Sequence, residues 1–208
     1  MKYPHWQYYK SIIGDIEVVS RYVEISTDNY STYSIELTRL LLSAGSEIDV
    51  VAKLLCKVAD PEAAPDNINK YREILTHKFP GLPEVEVAIP KYLISFKPWL
   101  DWLENKTPKW WDYYNKVKHE RSQYFSEANL ENVLLATAGL CVLVSYLYYD
   151  DLNKLISMTP MFMTLDQKYQ TGGMKGLVRK QFALPDFEQK TGVNIKQERK
   201  PSRTGGGS

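Results

Sequence analysis

The residues whose types and spacing best suit chemistry lie in the segment Tyr114 to Arg121, which reads YNKVKHER. If this segment is helical, Asn115 and His119 share one face, and Asp112 lies on nearly the same stripe. An amide and a carboxylate beside a histidine can fix its tautomer and let it act as a general acid or base near neutral pH. The segment therefore predicts an acid–base site centred on His119.

Cationic side chains surround this histidine. Between positions 106 and 121 the chain carries five Lys or Arg residues against two acidic ones, although its formal net charge is only +1. A nucleic-acid role would therefore depend on this local charge, because the charge of the whole chain is too small to attract RNA. Side chains such as Lys118 and Arg121 can hold a phosphate or a developing negative charge. The candidate catalytic residues are His119, Asn115, Arg121 and Lys118.

The same segment also has a structural interpretation, in which His119 caps a surface helix and the lysines keep that helix soluble. Four of the five tryptophans lie just ahead of it, between positions 99 and 111. Such a cluster anchors a loop onto the core, or alternatively offers rings on which bases stack. His5 and His77 are isolated in the sequence. No zinc-ligand spacing, phosphate-binding glycine loop or dinucleotide fingerprint is present, so we predict no metal and no cofactor.

The elements that must position these residues are predicted to be helices, from apolar residues that recur at three-and-four spacing. An N-cap is expected at Asp66 for the third helix and at Ser126 for the last. Residues 84–96 are strand-like and predict at most one short hairpin. The fold class is mainly all-α, an antiparallel bundle of four to five core helices. The predicted helices cover residues 6–25, 34–59, 66–79, 108–125 and 126–149.

Residues 1–160 are predicted to form this bundle, and residues 161–208 a basic, partly flexible C-terminal extension. Positions 175–203 hold eight Lys or Arg against three Asp or Glu, which is typical of a mobile basic tail. Cys56 and Cys141 each lie inside an apolar helical run. This placement favours buried free thiols over a disulfide or a metal site.

The N-terminus lacks an apolar run of signal-peptide length, which favours a cytoplasmic location. The segment Val133 to Tyr149 carries no formal charge and approaches the length of a membrane span. It falls about three residues short of the roughly 20 that a span needs, and no second such segment accompanies it. We therefore predict a buried central helix and no membrane contact, with a membrane anchor as the alternative.

Three segments together resemble the HEPN superfamily, the helical domain named for higher eukaryotes and prokaryotes nucleotide-binding. They are SAGSEIDVVAKLL from Ser43, WWDYYNKVKHERSQYF from Trp110, and the apolar helix NLENVLLATAGLCVLVSYLYY. The resemblance covers roughly residues 6–150. Members are four- to five-helix bundles that commonly dimerise, and many are metal-independent ribonucleases of toxin, phage-defence or RNA-processing systems. Their R-N-x-x-x-H arrangement matches Asn115 and His119, with Tyr114 in place of the arginine.

The resemblance implies an RNA-directed protein, a homodimer, and a protein partner such as an antitoxin. It also implies that the polar pair Glu47 and Asp49 lies near His119. A phenol at position 114 cannot supply the positive charge of the family arginine. The alternative is therefore a catalytically inactive helical module for dimerisation or protein interaction. The candidate RNA-binding residues are Lys116, Lys109, Tyr114 and Trp110.

Overall fold

The computed structural model describes residues 2–152 together with residues 155, 162–166, 168, 170–171, 181–182 and 184–188. The described chain is mainly helical, which confirms the predicted fold class. The α-helices are α1 (Pro4–Val19), α2 (Ile35–Ala59), α3 (Ile68–Lys78), α4 (Lys109–His119), α5 (Arg121–Tyr124), α6 (Leu130–Leu147) and α7 (Pro185–Glu188). The strands are β1 (Val87–Ile89), β2 (Ile94–Phe96), β3 (Thr164–Leu165), β4 (Gln170–Thr171) and β5 (Gln181–Phe182).

Helices α2 and α6 form the centre of the bundle, and α1 and α4 each pack against both of them. The core stripe of α2 recurs at three-and-four spacing, and Leu41 and Ile48 on it are completely buried. Helix α3 packs on α2. This arrangement places α4, which carries the candidate catalytic residues, directly against the central pair of helices.

Helix α6 is long and apolar enough to suit a membrane span, and it is the one such helix among the described residues. Within the bundle, however, 83% of it is buried against the rest of the chain. The buried hydroxyl groups of Thr137 and Ser145 donate to carbonyls of the preceding turn, at 2.8 and 2.7 Å. The helix therefore forms the buried centre of the bundle, as predicted.

The helix starts depend on side-chain caps that satisfy exposed N–H groups. Ser34 accepts a hydrogen bond from the N–H of Leu37 at the start of α2, as the predicted start near Ser34 requires. The two predicted caps, Asp66 and Ser126, were wrong. Asn67, rather than Asp66, caps α3 by accepting from two backbone N–H groups at 3.0 and 3.1 Å. Asn129, rather than Ser126, caps α6.

Two predicted helix ends were also wrong. Helix α1 ends at Val19 and not near residue 25, and the hydroxyl of Ser20 bonds the carbonyl of Glu17, which competes with the helical pattern. The helix predicted over residues 108–125 breaks at Glu120, whose φ of −134° and ψ of 48° are not helical. The bend therefore falls immediately after His119, and not at residues 125–126.

The predicted hairpin is confirmed, since β1 and β2 pair antiparallel with Val87 opposite Phe96. The sheet is larger than predicted, because β3 pairs with the other edge of β1. This third strand comes from the extension predicted over residues 161–208. Other described residues of the extension also contact the bundle: the side chain of Asp186 accepts from the N–H of Gly81 and from the hydroxyl of Tyr146, both at 2.9 Å.

Candidate nucleic-acid interface

Helix α4 has a buried face that fixes its position in the bundle. Trp110, Tyr114 and Val117 follow one another at three-and-four spacing, and all three are buried. The ring of Tyr114 lies on Gly45 of α2 so closely that a Cβ atom there would fall 2.3 Å from its Cδ2 atom. This close approach requires glycine at position 45.

The tryptophan cluster anchors the loop before α4 to the core. Trp99 donates from Nε1 to the carbonyl of Gly139 at 3.1 Å, and Trp110 donates to the carbonyl of Pro98 at 2.8 Å. The indole rings of Trp99 and Trp110 meet edge to face, with centroids 5.1 Å apart. Trp110 and Tyr114, which were predicted to contact RNA, are only 2% and 3% exposed, and the ammonium group of Lys118 lies 5.5 Å from the ring centroid of Tyr114.

The remaining surface of α4 is cationic and exposed. It continues into Arg121 at the start of α5, and within the described residues none of its cations forms an ion pair with a carboxylate. We call this set the cationic face; its members are Lys109, Lys116, Lys118, His119 and Arg121. Lys116 and Lys118 also add favourable positive charge at the carboxyl end of α4, where the helix dipole is negative.

Two tyrosines that the sequence reasoning missed hold the lysines of the cationic face. The ammonium groups of Lys109 and Lys116 lie 5.4 and 5.3 Å from the ring centroid of Tyr113. Lys116 also lies 5.3 Å from the ring centroid of Tyr124. Both rings are partly buried. The helical spacing of positions 109, 113 and 116 was the sequence signal that could have identified the first of them.

The predicted stripe of Asp112, Asn115 and His119 does not form a hydrogen-bonded site. Asn115 donates from Nδ2 to the carbonyl of Trp111 at 3.1 Å. His119 is exposed, and within the described residues its side chain makes no hydrogen bond. Partial burial raises the pKa of Asp112, while the nearby charge of Lys116 opposes that rise. The amide therefore does not orient the imidazole in this structure.

Asn115 and Lys118 instead line a polar cavity of about 410 Å³ between α2, α4 and the start of α3. Asp49 also lines this cavity, where its carboxylate accepts from the hydroxyl of Tyr71 at 2.7 Å and pairs with Lys53 at 2.5 Å. Burial, and then the carboxylate of Asp49, raise the pKa of Tyr71 well above its usual value. Asp49 thus shares a cavity with two of the four catalytic candidates.

Glu47 points elsewhere and pairs with a histidine that we expected to be isolated. Its Oε1 atom lies 2.6 Å from Nδ1 of His5, and the two side chains are only 14% and 20% exposed. The His5 ring stacks on Tyr148, with centroids 6.5 Å apart. The expectation that His5 has no partner was therefore wrong. No sequence signal could have found a pair separated by 42 positions.

Arg121 lies apart from Asn115 and Lys118. It borders a groove of about 710 Å³ that crosses the solvent-facing side of α2 from α1 to the chain after α5. We call this the α2 groove; its lining residues are Tyr8, Ile35, Thr38, Arg39, Leu42, Ser43, Ser46, Arg121 and Phe125. The four catalytic candidates therefore divide between the polar cavity, the α2 groove and the exposed surface that carries His119.

The cysteines and the possible metal ligands are the remaining groups that could do chemistry. Cys56 and Cys141 are free and buried. Burial raises the pKa of the Cys56 thiol to about 12 and that of the Cys141 thiol to about 11. Within the described residues, no group of three His, Cys, Asp or Glu side chains is placed to hold a metal ion.

Comparisons with known proteins find no match to a family model, to a curated protein or to a solved structure.

Proposed function

We propose that this protein is a HEPN-like, RNA-directed protein that binds RNA through the cationic face and cleaves it without a metal ion. The observation that carries the proposal is the state of these side chains: Lys116, Lys118 and Arg121 are exposed, and within the described residues none of them forms an ion pair with a carboxylate. Exposed and unpaired cations are what the phosphate backbone of a nucleic acid requires. The partly buried rings of Tyr113 and Tyr124 lie beside them and can stack on bases.

The proposed chemistry uses His119 as the general base. Its imidazole removes the proton of a ribose 2′-hydroxyl, whose oxygen attacks the adjacent phosphorus as the bond to the 5′-oxygen breaks. The leaving oxygen takes a proton from solvent, and the products are a 2′,3′-cyclic phosphate and a 5′-hydroxyl. Either Lys118 or Arg121 stabilises the negative charge that develops on the phosphoryl oxygens. In this role that cation replaces the family arginine, whose place is taken by the buried Tyr114.

The binding half of the proposal is tested by the salt dependence of affinity for single-stranded RNA. Each phosphate contact contributes roughly −0.7 to the slope of log affinity against log salt. We expect the double variant Lys116→Gln/Lys118→Gln to bind more weakly and to make the slope about 1.4 units shallower. The matched control Lys57→Gln/Lys78→Gln removes two exposed cations elsewhere and should leave both quantities unchanged. Equal slopes for the two double variants would contradict the proposal.

The resemblance to the HEPN superfamily leads us to propose a cytoplasmic role in a defence or toxin-type system. We propose that the protein forms a homodimer and binds an antitoxin-like protein. A toxic ribonuclease should arrest growth when it is expressed in a bacterial host. Expression of His119→Ala at the same level should not. Growth arrest by both proteins would argue against cleavage as the cause.

A second function, a non-catalytic interaction module, is favoured by apolar side chains on the surface of α2. Val50, Leu54 and Val58 are exposed at four-residue spacing along the second half of this helix. Apolar surface of this kind marks a site of protein association. Analytical ultracentrifugation should then give a dimer that the double variant Val50→Lys/Leu54→Lys dissociates. A monomeric wild-type protein that cleaves RNA would exclude this second function.

A further inference from the structure

We infer that the α2 groove binds the bases of single-stranded RNA, with Tyr8 and Phe125 as stacking rings at its two ends. The inference rests on the proposed function and extends it to a surface that the sequence did not indicate. The groove volume of about 710 Å³ falls in the range of about 300–1,000 Å³ that is typical of ligand sites.

The two ends of the groove carry aromatic rings in different elements. Tyr8 on α1 is 43% exposed, although the next residue, Tyr9, is buried. Phe125 follows α5 and is held edge-on by Tyr33, with ring centroids 5.5 Å apart. Stacking of a base on an aromatic side chain strengthens binding about 5-fold or more and tolerates any base. Rings at both ends suit unstacked bases laid across the helix.

The charge of the groove comes from Arg121. Arg39 also borders the groove, but its guanidinium is bound to Glu36 at 2.5 Å and to Asp15 at 2.6 Å. These carboxylates balance its charge, so Arg39 shapes the groove and does not attract phosphate. Arg121 has no described carboxylate partner and is also a member of the cationic face. The groove is thus continuous with the surface that we propose binds the RNA backbone.

The floor of the groove offers hydroxyl groups for base edges or for the ribose 2′-hydroxyl. Thr38 already donates to the carbonyl of Ser34 at 2.9 Å. Within the described residues, the side chains of Ser43 and Ser46 make no hydrogen bond. Leu42 and Ile35 make the rest of the floor apolar. A floor of this composition accepts the flat face of a base and its polar edge together.

The inference is tested with oligouridine that carries 4-thiouridine, which forms photochemical crosslinks to contacting side chains. Mass spectrometry should find crosslinks in the peptides that contain Tyr8 and Phe125. Crosslinks confined to peptides that contain Tyr113, with none in the peptide that contains Tyr8, would overturn the groove and leave the cationic face intact. Failure of the wild-type protein to bind RNA at all would overturn both the groove and the proposed function.

Affinity measurements separate stacking from charge. Tyr8→Ala should lower affinity at least about 5-fold with an unchanged salt slope, because no phosphate contact is lost. Arg121→Gln should make the slope shallower by about 0.7. Tyr22→Ala removes another exposed tyrosine and should bind like wild type. Phe125→Leu preserves apolar packing against Tyr33, so its loss of affinity cannot be attributed to misfolding if its unfolding midpoint is unchanged.

Two outcomes would contradict the inference. Tyr8→Ala and Phe125→Leu could both bind RNA as wild type does, which would exclude stacking in the groove. Alternatively, Tyr8→Ala could convert a dimer to a monomer in ultracentrifugation. The groove would then be an interface between two copies of this chain, and its apolar floor would be covered by protein.

Discussion

The two faces of α4 differ in burial and in charge. The buried face, through Tyr114, closes on Gly45 so tightly that no Cβ atom fits between them. The exposed face carries Lys116, Lys118 and His119 without a described carboxylate partner. One helix therefore serves both as a core element and as a cationic surface. Residues matched to a family motif by spacing alone fall on both faces: Tyr114 is buried, and His119 is exposed.

The largest expected effect comes from breaking the buried face at Gly45. A Cβ at this position would lie 2.3, 2.5 and 2.6 Å from three ring atoms of Tyr114, including Cγ. A ring cannot move away at its root without a backbone shift. We expect Gly45→Ala to lower the free energy of unfolding by about 3 kcal/mol, measured by urea denaturation.

The matched control is Gly14→Ala, in the middle of α1. A Cβ there would meet no atom within 4 Å. Alanine should therefore raise the free energy of unfolding by about 0.5–1 kcal/mol, through its better helix propensity. A similar effect of the two substitutions would show that the contact between Gly45 and Tyr114 is not as close as described.

The next effect concerns the two buried cysteines of α2 and α6 and appears at alkaline pH. Burial raises the pKa of Cys56 to about 12 and that of Cys141 to about 11, above the unfolded value of about 8.5. The stability from the neutral thiols is complete below the unfolded pKa and is lost as pH rises through the folded pKa. We expect each thiol to lower the free energy of unfolding by about 2 kcal/mol between about pH 8 and pH 11.

The control for this prediction is Cys56→Ala, which removes one titrating group. Its free energy of unfolding should fall less steeply over the same pH range, whatever the cost of the substitution at neutral pH. Parallel pH profiles for wild type and Cys56→Ala would contradict burial of this thiol.

A smaller effect distinguishes His5 from His119. His5 pairs with Glu47 at 2.6 Å and both are largely buried, so His5→Ala leaves a carboxylate without its partner. We expect a loss of about 1–2 kcal/mol in the free energy of unfolding at neutral pH. His119 is exposed on the cationic face, and His119→Ala should change stability by less than about 0.5 kcal/mol. The reverse order of the two effects would assign the structural role to His119.

The bundle could be predicted because its evidence is local. The apolar stripe of α2 repeats at three-and-four spacing, and α6 is apolar nearly all round; neither pattern needs knowledge of distant residues. The start of α6 was placed too early because its first N–H groups are satisfied from far away. The N–H of Leu130 donates to the carbonyl of Thr32, and that of Glu131 donates to the carbonyl of Tyr30. Only the folded chain brings these groups together.

The candidate site could likewise be predicted only where its evidence is local. The exposed charges of α4 followed from composition and helical spacing. The partners of Glu47 and Asp49 did not, because His5 and Tyr71 come from other helices. Neighbouring positions on α2 thus point to opposite sides of the helix, Glu47 towards α1 and Asp49 towards α3. The resemblance to the HEPN superfamily had implied that both would lie near His119.

The central claim, metal-independent cleavage by His119, is tested most directly by incubating a pool of single-stranded and structured RNA with the protein in EDTA. Wild type should produce 2′,3′-cyclic phosphate ends, and His119→Ala should cut at least about 100-fold more slowly. His77→Ala, which removes another exposed histidine, should cut as wild type does. Undiminished cutting by His119→Ala would contradict the claim, as would a wild-type protein that cuts no RNA in EDTA.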